Sequence, residues 1–228
     1  MRKIVDWTQD YLHLVKGAAL MYWHSKPPKH YLGYVLEDRC PIIIIPGILL
    51  RWGFMKPLAD FISMQGHPTY VLPNLGHNLS AISESAKKVQ ELIKENSLRD
   101  VVIVGHSKGG LIGKYLLSNL NSTNVRGMIA IATPFSGSAL SKLIPHKSYK
   151  ELHEESELIK ELTIHRDINK KIISIIPEYD NHVWSEKGSF LENALDNIEV
   201  VVKGHHKVVN DNEVKKLVLV SIKRFFVD

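Results

Sequence analysis

This sequence predicts an α/β architecture, a mostly parallel sheet with helices on both faces, and three observations predict it. Short, nearly continuous apolar runs rich in β-branched residues alternate with stretches whose apolar residues recur at helical spacing. That is the pattern of strands buried on both faces. One such run, Val101-Val102-Ile103-Val104, stops in Gly105-His106-Ser107-Lys108-Gly109 and passes at once into a helical pattern of Leu111, Ile112, Tyr115 and Leu116. The length of 228 residues, with 44% hydrophobic and 23% charged residues, suits one domain with a substantial core. The expected organisation is a single domain over 1–228, with an N-terminal helical segment over 1–30 and a small helical cap or lid over 138–170.

The elements follow in order. Met1-Arg2-Lys3 has the opening of a secretory signal, but Asp6, Asp10, His13 and Lys16 interrupt the apolar stretch such a signal needs. Ile4, Trp7, Tyr11, Leu14, Val15, Ala18 and Tyr22 recur at helical spacing and predict an amphipathic helix. Such a helix either packs on the domain or lies at a membrane surface. No run approaches the roughly 20 apolar residues of a spanning helix, so a soluble, cytoplasmic protein is expected. Tyr31 to Leu36 reads as an edge strand, Pro41 to Gly47 as an apolar strand closed by a turn, and Pro57 to Met64 as helix. Thr69 to Leu72 is a short strand, and Ser80 to Glu95 a helix with Ile82, Ala86, Val89, Leu92 and Ile93 on one face.

After the central strand and its helix come strands at Met128 to Ala132, Ile172 to Ile176 and Ile198 to Val202. The last helix starts near Asn210 and Asp211, with Glu213 three positions after Asn210 as in a capping box. About forty residues separate the strand ending at Ala132 from the one starting near Lys171, more than one crossover helix needs. Within them Ser138 to Ile144 and Glu151 to Ile164 look helical, broken by Pro145-His146-Lys147. The interval reads either as a cap over the carboxyl ends of the strands or as a plain two-helix connection.

Charge and cysteine content exclude several functions. The net charge of +5 comes from dispersed lysines, with no dense run to track a phosphate backbone, so no nucleic-acid partner is expected. A single cysteine, Cys40, excludes an internal disulfide. The 12 histidines show no zinc-site spacing, and no cofactor is called for.

Strand before and helix after give the Gly-x-Ser-x-Gly run its meaning: the tight turn exposes Ser107 at a strained apex above the sheet's carboxyl edge. A serine hydroxyl needs an adjacent base, itself oriented by a third group. Gly204-His205-His206 directly follows the last strand; His205 is favoured as base because it lies nearer the strand end, with His206 the alternative. After the preceding strand, Pro177-Glu178-Tyr179-Asp180 offers Asp180, with Glu178 the alternative. The order Ser107, Asp180, His205 is the one expected when this triad is built on an elbow. Two N–H donors are needed at the oxyanion. The backbone amides of Lys108, at the helix start, and of Ile48, in the Pro46-Gly47-Ile48-Leu49 loop, are placed for it.

These residues resemble the α/β-hydrolases, and within them the small bacterial serine lipases and esterases. The resemblance runs from about Cys40 to Phe226. It rests on Pro46-Gly47-Ile48, the Gly105 to Gly109 elbow, Ala132-Thr133-Pro134-Phe135-Ser136-Gly137-Ser138, Asp180 with Val183, and Gly204-His205. The Thr-Pro-x-x-Gly-Ser stretch is similar to one common in lipase-like members, and the resemblance implies His205 as base. Pro46 stands where many relatives have histidine, and Lys108 where the family usually has an uncharged side chain. The implied activity is hydrolysis of a small-molecule ester or lactone with an apolar acyl group. Leu49, Trp52, Phe135 and Leu140 are expected at the substrate, with Ile48, Phe54 and Leu143 also near the rim. Lactone, thioester or lysophospholipid hydrolysis on the same triad, or a catalytically silent binding module, are the alternatives. Peripheral membrane contact would come through the N-terminal helix.

Overall fold

The structure of the chain, a computed structural model, describes residues 2–24, 26–120, 122–185 and 187–227, with side chains from residue 6 onward. The side chain of Ile4, assigned above to the first helix's apolar face, lies outside the described residues. Six strands form one parallel sheet: β1 (Ile42–Ile45), β2 (Thr69–Val71), β3 (Val101–His106), β4 (Val125–Ile131), β5 (Ile172–Tyr179) and β6 (Asp196–Lys203). Their spatial order is β2-β1-β3-β4-β5-β6. Alternate side chains of each inner strand enter separate cores: Ile42, Ile44, Val102 and Val104 on one face, Ile43, Ile45, Val101 and Ile103 on the other. Burial on both sides explains why these strands read as unbroken apolar runs. β6 is the exception: it is an edge strand, and Val201 is 93% exposed.

The helices are α1 (Arg2–Trp23), α2 (His30–Gly33), α3 (Lys56–Ser63), α4 (Ile82–Glu95), α5 (Lys108–Asn119), α6 (Lys147–Lys150), α7 (Glu157–Ile164), α8 (Lys207–Asn210) and α9 (Asn212–Lys223). α1, α3, α8 and α9 cover one face of the sheet, α4, α5 and α7 the other. No helix among the described residues is long and apolar enough to cross a membrane.

Four local expectations are corrected. Tyr31 to Leu36 is not an edge strand. Tyr31 N–H bonds the Pro28 carbonyl to start the single turn α2, because the Tyr31 ring is buried against Trp52 and its hydroxyl donates to Asp60 Oδ1 at 2.9 Å. The last helix is capped by Asp211 rather than by an Asn210 capping box: Asp211 accepts from the amides of Glu213 and Val214. α1 is turned relative to its expected apolar stripe. It buries Asp10, Gly17 and Met21, while Tyr11, Val15 and Tyr22 stay exposed. The 138–170 interval holds a 3₁₀ turn at Ala139–Leu143, then α6 and α7, with 151–156 irregular rather than helical.

The order of strands reverses between β1 and β3, and ligand sites in open parallel sheets lie outside the carboxyl ends at such a point. Register makes this exact at the residue level: Ile45 pairs with Gly105, and Gly105 with Ala130. The loop after β1 therefore leaves the sheet beside the turn after β3. A Cβ on Gly109 would sit 2.2 Å from the Ile45 carbonyl oxygen, backbone that cannot move aside. Gly109→Ala should cost about 1–3 kcal/mol or more, read as a lowered denaturant midpoint with the slope unchanged.

Candidate active site

The turn after β3 has the strain its sequence implies. Ser107 has φ 52° and ψ −121°, an arrangement costing about 1–3 kcal/mol that persists only when its surroundings over-determine it. They do. Ser107 N–H donates to the Ile131 carbonyl at 2.9 Å, its own carbonyl accepts from Gly110 N–H at 3.0 Å, and a Cβ on Gly105 would strike the Gly109 backbone at 2.6 Å. Lys108 opens α5, so its amide lies at a helix N-terminus, where N–H groups lack intrahelical partners.

Asp180 and His205 meet across the ends of β5 and β6. His205 Nδ1 lies 2.8 Å from Asp180 Oδ2 and 3.0 Å from Oδ1. Asp180 Oδ1 also accepts the amides of His182 and Val183, at 2.8 and 2.9 Å. Burial works against its ionised form, but the His205 charge and these bonds outweigh it, and its pKa is lowered. An ionised Asp180 can only accept, so Nδ1 of His205 carries the proton and Nε2 is its free basic nitrogen. Burial also disfavours charge on His205, yet Asp180, with a smaller contribution from Asp10, raises its pKa. Glu178, the alternative acid, is half-exposed and lies 3.2 Å from Lys203 Nζ.

His206, the alternative base, belongs to a second pair. Its Nδ1 lies 2.8 Å from Oδ2 of Asp10, which is fully buried in α1, and Asp10 Oδ1 accepts the amides of His206 and Lys207 at 2.7 and 2.9 Å. His106 Nε2–H donates to the His205 carbonyl at 2.9 Å. Burial, then the His205 and His206 rings, hold His106 neutral; the same causes push His182 down to about 3.

Ser107, His205, Ile48, Leu49 and Leu140 line one cavity of about 180 Å³, walled also by Leu14 and Met21 of α1 and by Tyr149 and Leu152 of the 138–170 interval. Two expected substrate residues are elsewhere. Trp52 is buried in the core against Tyr31, and Phe135 lies under Lys114 Nζ, 5.6 Å from its ring centroid, beside a different hollow. Phe54 is core as well, stacked on His106, and Leu143 is exposed. At these positions an aromatic side chain satisfies packing as readily as ligand contact, and sequence does not separate the two.

Lys108 has a role the sequence did not disclose. Its side chain is fully buried, and Nζ donates to the carbonyls of Asn78 and Ser80 at 3.0 and 2.6 Å. Asn78, also buried and held at φ 52°, donates through Nδ2 to the Pro46 carbonyl at 2.7 Å. This chain of bonds anchors the loop after β1. Burial lowers the Lys108 pKa to about 8, opposed by the charges of Glu151 and Glu84.

Among the described residues, Asp10, His182 and His206 could hold a metal ion, their ligand atoms lying within 4.8 Å of one another. Asp10, however, already accepts three N–H bonds from the protein, two of them, from the backbone amide and the ring Nδ1, from His206 itself. Its donor atoms are spent on the fold, and the cluster is a hydrogen-bonded pair rather than an open cradle. These residues come from three distant segments, so no local spacing marks them.

Comparison with known structures agrees with this architecture. The mature Bacillus licheniformis lipase BlEst2 has a TM-score of 0.64 at 14% identity, covering 87% of this chain and 96% of that one. Naproxen esterase (carboxylesterase NP) from Bacillus subtilis has a TM-score of 0.57 at 13% identity, covering 85% of each chain. The fold is that of the α/β-hydrolases. Within it, the family model of the PGAP1-like alpha/beta domain matches residues 73–225, more than half of the chain. The protein belongs to the PGAP1-like alpha/beta domain family. Lysosomal thioesterase PPT2-B of Xenopus laevis is 30% identical over 106 residues, covering 42% of this chain and 36% of the relative. The match thus spans about a third of that relative's length.

Lys108→Met keeps the apolar stem and removes the ammonium. It leaves the Asn78 and Ser80 carbonyls without their donor, at a cost of about 1–3 kcal/mol, measurable by urea denaturation.

Proposed function

We propose that the protein is a serine hydrolase that cleaves carboxylic esters of apolar acyl groups through Ser107, His205 and Asp180. One observation carries this reading: a serine held at a strained strand-to-helix turn shares a cavity with a histidine whose Nδ1 is bound to a buried, ionised aspartate. The fold neighbours include a lipase and an esterase, which supports the same class.

The mechanism follows from the proton inventory. With Nδ1 committed to Asp180, Nε2 of His205 accepts the Ser107 proton as Oγ bonds to the ester carbonyl carbon. The oxygen that gains negative charge lies beside the Lys108 amide at the head of α5 and the Ile48 amide of the loop steadied by Asn78. Collapse breaks the bond to the alcohol oxygen, which takes the proton back from His205 and leaves an acyl ester on Ser107. Water, deprotonated by His205, then releases the acid and restores the serine. Leu14, Met21, Leu140 and Leu152 give the cavity its apolar wall, and burial of each acyl CH₂ contributes roughly 0.8 kcal/mol.

Thioester cleavage is the second reading, favoured by the relative named as a thioesterase. The same groups serve, with a thiolate leaving. Paired oxygen and sulfur esters of one acyl chain separate the readings through the ratio of their kcat/KM values, and acyl lactones and lysophospholipids complete the panel.

Ser107→Ala should abolish p-nitrophenyl butyrate hydrolysis, a loss on the order of a millionfold, together with labelling by a fluorophosphonate probe. An undiminished rate in that variant refutes the assignment. The base acts neutral, so kcat/KM should fall as pH drops through the His205 pKa. Because that pKa is raised, the acid limb should lie above the ordinary histidine value of 6.5. Asp180→Asn should move the limb to lower pH and reduce kcat by roughly ten-thousandfold.

A further inference from the structure

α1 lies outside the residues matched by the family model, yet it delivers the fully buried carboxylate of Asp10 to the loop that carries His205. Residues 204–207 wrap around this one group. Asp10 Oδ1 takes the amides of His206 and Lys207, and Oδ2 takes Nδ1–H of His206. Gly204 makes room for it: φ is +121°, and a Cβ there would lie 2.5 Å from Asp10 Oδ1. Burying an ion is costly, and a packed apolar side chain would attach the helix more cheaply. α1 already has such attachments, including Gly17 against the Phe54 ring and Gly53 against the Leu20 backbone. The carboxylate is therefore surplus to anchoring.

What it does have is a place beside the base. His205 is faced by Asp180 and His182 from the loop after β5, by His106 from the end of β3, by His206 from its own loop and by Asp10 from α1. Two of these groups are carboxylates, and the histidines facing it are held neutral by burial. The carbonyl and amide of His205 are tied to His106 and to Asn181 Oδ1, and the next two amides are tied to Asp10.

We propose that Asp10, acting with His206, is a positioning residue for His205: a second carboxylate–imidazole pair that fixes the 204–207 loop and adds negative charge beside the base. This rests on the reading of His205 as base given above. The arrangement repeats that of the Asp180–His205 pair: a carboxylate that accepts two backbone amides on Oδ1 and an imidazole Nδ1–H on Oδ2.

The test compares full-length Asp10→Asn with wild type by the pH dependence of p-nitrophenyl butyrate hydrolysis, by NMR titration of the His205 ring and by thermal unfolding. Asparagine keeps an oxygen for the two amides and loses the charge. In Asp10→Asn, kcat should fall roughly tenfold to a hundredfold, as for a base displaced by about an ångström, with KM changed less. The acid limb and the His205 titration should both move to lower pH. His206→Asn, whose side-chain amide can still donate to Asp10, should keep most of the activity, whereas His206→Leu should lose as much as Asp10→Asn.

A folded Asp10→Asn protein with wild-type kcat and acid limb overturns the proposal. So does a loss of kcat that comes with a lower unfolding temperature but an unmoved limb, because that result describes a structural support only. If Asp10→Asn does not fold, the His206 pair decides: equal kcat in His206→Leu and wild type refutes it. Should wild type hydrolyse no ester or thioester, the proposed activity fails on its own. The substrate-free NMR titration then still reports whether Asp10 acts on His205.

Discussion

The backbone of Ser107, held at a positive φ between β3 and α5, is the constraint on which the rest of the site depends. A non-glycine residue stays there only if its neighbours leave no alternative. Here the neighbours are backbone: the Ile131 carbonyl on one side, the Ile45 carbonyl against Gly109, and the Gly109 peptide against Gly105. All three belong to the innermost strands or to the turn itself, where packing is densest and least able to relax. Sheet register thus sets where the hydroxyl stands, to within the small play of hydrogen-bonded strands.

The loops that approach Ser107 have no such register, and buried polar bonds hold them instead, from remote elements for the loops after β1 and β6 and from within the loop itself after β5. Asn78 and Lys108 hold the loop after β1; the amides of His182 and Val183 hold Asp180; Asp10 holds the loop after β6. Burying these groups is unfavourable unless each hydrogen bond is made. Their geometry is for that reason narrowly defined, since slight displacement exposes the full cost of an unpaired group. Packed apolar side chains tolerate more. The division of labour is physical: apolar burial builds the sheet, and polar satisfaction sets the loops.

The same division explains what the sequence reveals. Strands covered on both faces must be apolar throughout, so β1, β3, β4 and β5 are legible, as is the glycine-flanked turn. The strand-end placement of the candidate residues Ser107, Asp180 and His205 is legible, because position in an α/β sheet carries chemical meaning. Tyr31 to Leu36 is not legible, because one buried tyrosine bonded to Asp60 outweighs local strand preference. Nor is Asp10. In sequence it only interrupts the apolar stretch that a secretory signal needs. Its spacing to Leu14, Gly17 and Met21 is that of a helix face, and that face is the buried one. An acid in register with a buried stripe is a signal, but only a partner from residues 204–207 gives it sense. Pairings across nearly two hundred residues leave no local trace.

Lys108 shows how far a residue's direction can matter more than its type. A cation at the first position of a helix opposes the helix dipole, and next to the proposed nucleophile Ser107 it would be expected to alter the local field. The side chain instead leaves the turn toward residues 78–80, where two carbonyls receive its ammonium and Glu84 and Glu151 supply opposite charge. Glu151 is itself bound to the amide of Ile82 at the start of α4. The positive charge is thus held within the layer that supports the loop after β1, while the Lys108 amide, which does not depend on the side chain, remains at the head of α5. An uncharged residue at this position would need another donor for the Asn78 carbonyl. In this chain, therefore, the lysine and the proline belong to one arrangement: Asn78 binds the Pro46 carbonyl, and Lys108 holds Asn78.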